Sequence, residues 1–262
     1  MTVTIIGGDR RQHLLEEILR EKGFTVGGYF DETHSMTSSA LARRLAVSDA
    51  VILPIPATRD GKTVAGTALS IDSMLPHIKR GAYLFGGRLP DAVKREDLML
   101  IDYLCDESFT QENAALTAEG VLRLLYENTD RALSDTHILI LGFGRIGSHL
   151  THRLLKLGAR VTVVARRRES RTLATMCGAV ALDFDQALPP ADFAVNTVPP
   201  PITLPMPAAP LPLIELAGLP KETVPTAYAY ISAPSLPGKM FPYSAANRIA
   251  AVTLRYLKGE KA

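Results

Sequence analysis

His137-Ile138-Leu139-Ile140-Leu141-Gly142-Phe143-Gly144-Arg145-Ile146-Gly147 decides the fold of this chain. An apolar strand runs directly into G-x-G-x-x-G, and a helical pattern follows. In that context the glycines form a dinucleotide-binding βα turn. Gly142 permits the tight turn, Gly144 lets the backbone approach a pyrophosphate, and Gly147 allows close packing of helix on strand. Phe143, Arg145 and Ile146 complete the cradle. The helix start supplies free N–H groups and the positive end of its dipole.

The next strand, Val161-Thr162-Val163-Val164-Ala165, ends in Arg166-Arg167-Arg168. Arg166 lies about 20 residues past the glycines, where an NAD site carries Asp or Glu on the ribose hydroxyls. A carboxylate there repels a 2′-phosphate, whereas a guanidinium pairs with it in fork geometry and stacks on adenine. Ala165, Arg166 and Arg167 therefore point to NADP(H). The plainer alternative is three arginines decorating a solvated turn.

With 262 residues, the chain suits two modest domains or one large one. Its 47% hydrophobic and 21% charged residues suit a core-forming globular protein. A formal net charge of +2 gives no electrostatic case for nucleic acid or a membrane surface. Cys105 and Cys177 have no metal-ligand spacing and read as buried thiols in a reducing compartment. No basic-then-apolar leader opens the chain, which argues against secretion. No apolar run reaches about 18 residues, so no membrane span is expected.

Strands at 2–6, 25–30, 50–53, 82–85 and 98–101 alternate with helical patterns, one of them following Ser70 as its cap. This predicts an α/β fold: two Rossmann-like, doubly wound domains with parallel sheets, joined by a long interdomain helix and a returning C-terminal helix. The boundaries are 1–133 for a substrate domain that includes the interdomain helix (112–133), 134–241 for the NADP-binding domain, and 242–262 for a helix packing back on the first domain. Later strands fall at 180–182 and 193–198, with a weaker candidate at 214–217. Half of the 18 prolines lie between Pro199 and Pro225, a density that excludes regular helix and central strand over most of that span. Residues 205–212 read as a linker.

Ligands of such sheets bind outside the carboxyl ends of the strands. Asn196-Thr197-Val198-Pro199 is one such end and should flank the nicotinamide, unless Asn196 only makes an Asx turn. In the first domain, Gly8, Asp9 and Arg10 follow the first strand. Their backbone N–H groups and the Arg10 guanidinium suit an anionic substrate, or else Asp9 caps the helix and the arginines face water. Ala57 and Thr58 end another strand, where Thr58 either bonds a carboxylate or caps a turn. Arg88 is a further strand-end cation that reads as solvated. Glu119, near the start of the interdomain helix, is the candidate acid/base, or a helix-start acid serving the dipole. His13, His34, His77, His137, His149 and His152 read as surface or packing residues. No cluster has metal spacing and no G-x-S-x-G elbow occurs, so no metal is expected. A 2-hydroxy-acid dehydrogenase needs a catalytic His late in the chain, and the last here is His152.

These segments in order resemble one family. Ile5-Ile6-Gly7-Gly8-Asp9-Arg10-Arg11-Gln12, Val51-Ile52-Leu53-Pro54-Ile55-Pro56-Ala57-Thr58, Thr117-Ala118-Glu119-Gly120, the glycine motif, Ala165-Arg166, Asn196-Thr197-Val198-Pro199 and Ala233-Pro234-Ser235-Leu236-Pro237-Gly238 are similar to the A-subunit of dipicolinate synthase, from spore-forming bacteria. The resemblance implies NADP-dependent oxidation of a dihydrodipicolinate, derived from 4-hydroxy-tetrahydrodipicolinate, to pyridine-2,6-dicarboxylate. It implies a site between the domains, the flavoprotein-like B-subunit of dipicolinate synthase as partner, and the mother-cell cytoplasm of a sporulating bacterium. It leaves self-association into a homo-oligomer open. The alternative reading is a non-catalytic, nucleotide-binding member of a heteromer. One departure stands out: Glu215-Leu216-Ala217-Gly218 replaces the family's Asp-Leu-Ala-Ser-type loop.

Overall fold

The computed structural model describes residues 1–30 and 38–259, so His34 lies outside the described residues. In chain order the elements begin β1 Thr2–Ile6, α1 Arg10–Glu21, β2 Thr25–Tyr29, α2 Ser38–Leu45, β3 Ala50–Ile52, α3 Ile71–Met74, β4 Tyr83–Gly86, β5 Met99–Asp102 and α4 Glu107–Glu127. They continue β6 His137–Leu141, α5 Arg145–Lys156, β7 Arg160–Val164, α6 Arg168–Met176, β8 Val180–Leu182, β9 Phe193–Asn196, β10 Leu211–Glu215, β11 Tyr228–Ser232, α7 Leu236–Met240 and α8 Pro242–Leu257. By its contacts the chain divides into Met1–Glu112 with Phe241–Ala262, and Asn113–Met240.

The first unit is a five-stranded parallel sheet in the order β2-β1-β3-β4-β5. Successive side chains of a strand point to opposite faces, so a sheet covered on both sides needs apolar residues at consecutive positions. Val3, Ile5, Ala50, Ile52 and Phe85 meet Leu15 and Leu19 of α1 and Ile249 and Val252 of α8. Ile6, Val51, Leu53 and Leu84 face the other way, onto Leu41 and Leu45 of α2 and Ile71 and Met74 of α3. Tyr103 is buried in the first of these cores, and its hydroxyl shares a 2.7 Å hydrogen bond with Thr253 of α8. The helix expected after Ser70 is one α turn followed by a 3-10 turn at Leu75–His77, because Pro76 lies inside it.

The second unit is a six-stranded parallel sheet in the order β11-β10-β9-β6-β7-β8. Ile138, Ile140, Val161, Val163, Val195 and Ile214 pack on α4, α5, α6 and α7. The opposite face, including Leu139, Leu141, Ala194 and Leu213, is closed by irregular chain carrying Leu188, Leu204 and Leu219. The proline-dense span is therefore part of the fold's second covering layer.

Three expectations are corrected. The weaker strand candidate at 214–217 is β10, Leu211–Glu215, paired with both β9 and β11, so residues 211 and 212 of the expected linker belong to the sheet. Leu211 donates to Ala227 O, so Pro212 turns its absent donor the other way, one residue before pairing with β9 begins at Leu213. The long helix starts at Glu107, because the Asp106 carboxylate accepts the Phe109 N–H at 2.9 Å and caps it. Glu119 thus sits well inside α4, too far from the first turn to serve the dipole. Finally, Cys105 and Cys177 are both exposed free thiols. Cys105 ends the 3-10 turn whose inward residue is Tyr103, and Cys177 caps the end of α6. Among the described residues, no helix is long and apolar enough to cross a membrane.

Candidate functional site

The order of the second sheet reverses between β6 and β9, so the turns after these strands form the crevice at its carboxyl edge. Three glycines shape the first turn in three ways. Gly142 has φ +98°, and a Cβ there would lie 2.6 Å from Thr197 Oγ1 and 2.7 Å from Val198 Cγ2. A Cβ on Gly147 would lie 2.3 Å from the Gly142 carbonyl oxygen, so α5 could not seat on the strand. A Cβ on Gly144 would meet nothing within 4 Å: the space beside it is open. Gly144 is the N-cap of α5 and brings no side chain to cap the helix start.

A cavity of about 350 Å³ opens there. Three strand ends wall it: Gly142, Phe143 and Gly144 after β6; Ala165, Arg166 and Arg167 after β7; Thr197, Val198 and Pro199 after β9. Ser170 and Phe184, which sequence reasoning missed, complete it. Ser170 was legible as the residue one helical turn past Arg166. Phe184, two residues beyond β8, carried no local signal. Arg145 and Ile146 open α5 beside the cavity without lining it. A second hollow of about 600 Å³ shares Arg166 and Phe184 and is walled further by Pro200, Pro201 and Ile202.

The lining carries cations and no carboxylate. Arg166 and Arg167 are exposed, and neither guanidinium has an ion-pair partner among the described residues. Arg171 is committed: it pairs with Asp183 at 2.6 Å and donates to Ala165 O at 2.8 Å and Arg166 O at 2.7 Å. It thereby clamps the backbone that presents Arg166. These features fit a dinucleotide phosphate: open space at a glycine, an uncapped helix start and unpaired guanidinium groups.

Asn196 stands behind the wall, with 0% of it exposed. Its Nδ2 donates to Glu215 Oε2 at 2.7 Å and to Val198 O at 3.1 Å, while Oδ1 accepts the Val198 N–H at 3.0 Å. Thr197 Oγ1 donates to Leu141 O at 2.9 Å. Glu215, 2% exposed, also accepts the Ala217 and Leu219 N–H groups at 2.6 and 3.3 Å. This buried carboxylate joins the loops after β9 and β10. Its position at the end of the apolar run Leu213-Ile214 is the sequence signal that would have found it.

The first sheet has the strand order of flavodoxin-type domains, with its reversal between β1 and β3. Its turn is more self-contained than expected. The Gly7 and Gly8 N–H groups donate to Tyr29 O and Ala65 O at 2.7 and 2.8 Å, so they are not available to an anion. Asp9 caps α1 in a capping box with Gln12. Arg11, buried, grips both Asp9 oxygens at 2.9 Å and donates to Ile55 O at 3.1 Å, which ties this turn to the loop after β3. Partial burial pushes the Asp9 carboxyl up, and the Arg11 hydrogen bonds and charge more than offset this, holding it below the usual range. Arg10 is left exposed, with no partner among the described residues. Ala57 is buried, its N–H donating to Gly87 O at 2.7 Å. Thr58 Oγ1 donates to Asp60 at 3.0 Å and accepts the Gly61 N–H at 2.9 Å. Arg88, at φ +53°, is held by its backbone N–H on Asp102 at 3.1 Å. Glu119 is exposed on α4.

Residues 2–104 match the family described as the N-terminal domain of the dipicolinate synthase A-subunit. Residues 109–203 match the D-isomer specific 2-hydroxyacid dehydrogenase, NAD binding domain. The dipicolinate synthase A-subunit of Bacillus subtilis (strain 168) is 26% identical over 287 residues, spanning 98% of this chain and 96% of the relative. The crystal structure of the dipicolinate synthase A-subunit from Bacillus halodurans shares the fold, with a TM-score of 0.81 at 23% identity over 98% of this chain and 97% of that one. The corresponding crystal structure from Bacillus subtilis has a TM-score of 0.79 at 21% identity over 99% and 96%. From its first strand to its last helix, the chain resembles the A-subunit of dipicolinate synthase.

Proposed function

We propose that this chain is an NADP-dependent oxidoreductase that converts a dihydrodipicolinate, formed from 4-hydroxy-tetrahydrodipicolinate, into dipicolinate. The observation that carries the reading is the cavity walled by the glycine turn, Arg166 and Arg167, and Thr197 to Pro199. Gly142, Phe143 and Gly144, with the start of α5 at Arg145 and Ile146, hold the pyrophosphate. Ala165, Arg166 and Arg167 hold the 2′-phosphate. Thr197, Val198 and Pro199 flank the nicotinamide, and Asn196 fixes their backbone from behind. When bound, NADP⁺ supplies the hydride acceptor.

In the first domain, Gly8, Asp9, Ala57 and Thr58 shape the strand-end turns beside Arg10, which is the substrate contact of this reading. Arg10 pairs with a substrate carboxylate, because the other polar groups there are already bonded to the chain. The oxidation removes one hydride and one proton from the ring. Aromatisation supplies driving force, so a strongly activated base is unnecessary, and an exposed carboxylate such as Glu119 suffices for the proton. By resemblance, the partner is a flavoprotein-like B-subunit and the setting is the mother-cell cytoplasm.

The test is NADP⁺ reduction by the purified chain with freshly generated 4-hydroxy-tetrahydrodipicolinate, with and without the B-subunit. NAD⁺ and Arg166→Asp are the controls. Dipicolinate formed with NADP⁺ and lost in the variant is the expected result. NADP⁺ binding with no turnover in any combination would overturn it in favour of a non-catalytic, nucleotide-binding role.

A further inference from the structure

The basic turn after β7 runs into α6, a nine-residue helix whose N-cap is Arg167. Arg167 is extended at φ −76° and ψ 130°, and no side chain caps the helix. The first-turn N–H groups of α6 therefore lack both an intrahelical and a side-chain acceptor. Ser170 sits in that first turn. It is 7% exposed, it lines the cavity beside Arg166 and Arg167, and its hydroxyl has no hydrogen-bond partner among the described residues. Its oxygen is not one of the fully buried atoms of the fold, so the free hydroxyl is open to the cavity. Here the unused donor faces the same space as two unpaired guanidinium groups. Arg171, one residue on, is already bound to Asp183 and to the carbonyls of the turn, so the backbone around Ser170 is held in place. Glu169, also in the first turn, is exposed and does not line the cavity.

We infer that Ser170 and the uncapped start of α6 form the inner wall of a phosphomonoester site, with the Ser170 hydroxyl and first-turn N–H groups donating to the 2′-phosphate of NADP while Arg166 and Arg167 close over it. Ser170 is thus a specificity-determining residue, and the inference rests on the NADP reading above. A ribose 2′-hydroxyl is too short to engage the same donors, so the Ser170 contact distinguishes the two coenzymes.

The experiment is fluorescence titration of the full chain with NADPH and with NADH, for the wild type, Ser170→Ala, Ser170→Thr, Ser170→Asp and Arg166→Ala. A hydrogen bond to a charged acceptor predicts about tenfold weaker NADPH binding in Ser170→Ala, with NADH binding unchanged. Ser170→Thr restores NADPH binding, and Ser170→Asp weakens it by roughly a hundredfold through charge repulsion. Alanine in a helix position is favourable, so Ser170→Ala folds. Equal weakening of both coenzymes would make Ser170 merely structural and overturn the inference. So would unchanged NADPH binding in Ser170→Ala alongside a loss in Arg166→Ala, with the NADP reading left standing. A wild-type chain that binds NADPH no more tightly than NADH would overturn the NADP reading itself.

Discussion

Replacing Glu215 by Gln should unfasten the loop that walls the cofactor cavity. The two Glu215 oxygens accept from Asn196 Nδ2 at 2.7 Å, Ala217 N–H at 2.6 Å and Leu219 N–H at 3.3 Å. Glutamine keeps the volume but offers one acceptor oxygen and an NH₂ in place of the other. Whichever way the amide turns, a donor faces a donor: its Nε2 meets either Asn196 Nδ2 or the Ala217 N–H. Asn196 cannot flip to help, because its Oδ1 already accepts the Val198 N–H at 3.0 Å. Losing one hydrogen bond to a charged acceptor costs about 1.5–3 kcal/mol, and a stranded buried donor adds to that, so the expected loss is about 2–4 kcal/mol. For a domain of this size each kcal/mol moves Tm by about 3–4 °C, which makes about 6–16 °C. The assay is differential scanning calorimetry, resolving the transition of the second unit, since two units need not melt as one. Adding Asn196→Asp reverses donor and acceptor: the new aspartate accepts from the new glutamine's Nε2 and still accepts the Val198 N–H. The rescue is partial, because a carboxylate oxygen then faces Val198 O, where Nδ2 donated. A coupling of at least about 1 kcal/mol is expected from the double-mutant cycle. A Glu215→Gln protein that melts within about 2 °C of wild type would refute the reasoning, as would strictly additive effects.

Gly144→Val and Gly147→Ala should separate space for a ligand from space for the fold. The first adds a side chain where nothing lies within 4 Å, so Tm changes little while dinucleotide affinity drops at least tenfold; the second meets a backbone oxygen at 2.3 Å and lowers both. Asp9→Ala should destabilise the first unit by about 1 kcal/mol at neutral pH, the usual worth of an N-cap. The Asp9 carboxyl is held below its ordinary value of 3.8, so its contribution is complete above that value and is lost as pH falls through the lower folded value. Wild type and variant should therefore converge in urea denaturation as pH falls below 3.8, and a constant gap there would contradict the assignment. Arg10→Ala should leave stability within about 0.5 kcal/mol and raise KM, whereas Arg11→Ala, which breaks a partly buried ion pair, should mainly lower Tm. Native protein should expose two thiols to an aromatic disulfide reagent, since Cys105 and Cys177 are both exposed; slow or partial labelling would argue otherwise.

The glycine turn of the second unit was legible because its signal lies in the backbone. A glycine between a strand and a helix has few uses: Gly142 and Gly147 each have a separate steric reason, and Gly144 leaves open space beside the turn. The parallel sheets were legible for a similar reason, since strands covered on both faces must be apolar at consecutive positions. The start of β10 was missed because proline density is a statement about donors, and only Pro212 lies in β10, at a point where no donor is required. The cysteines misled because average burial says nothing about which side of a short turn faces inward.

The strand-end loops were less legible because short polar side chains there have two competing uses. Asp9, Thr58 and Asn196 can each meet a ligand or tie down their own turn, and a sequence gives both uses the same signature. Here all three tie down turns: Asp9 holds Arg11 and α1, Thr58 holds Asp60, and Asn196 holds Val198 and Glu215. Arg10 and Arg166 remain as long cations whose neighbours, Arg11 and Arg171, have taken the available carboxylates. In each domain one arginine is fastened to an aspartate and braces the turn, while a nearby arginine stays unpaired at the strand end. The fastened arginine keeps the backbone from relaxing, so the unpaired one is presented from a fixed base. The expected consequence is a division of effects: Arg11→Ala and Arg171→Ala should weaken ligand binding in step with lost stability, and Arg10→Ala and Arg166→Ala should weaken it with none.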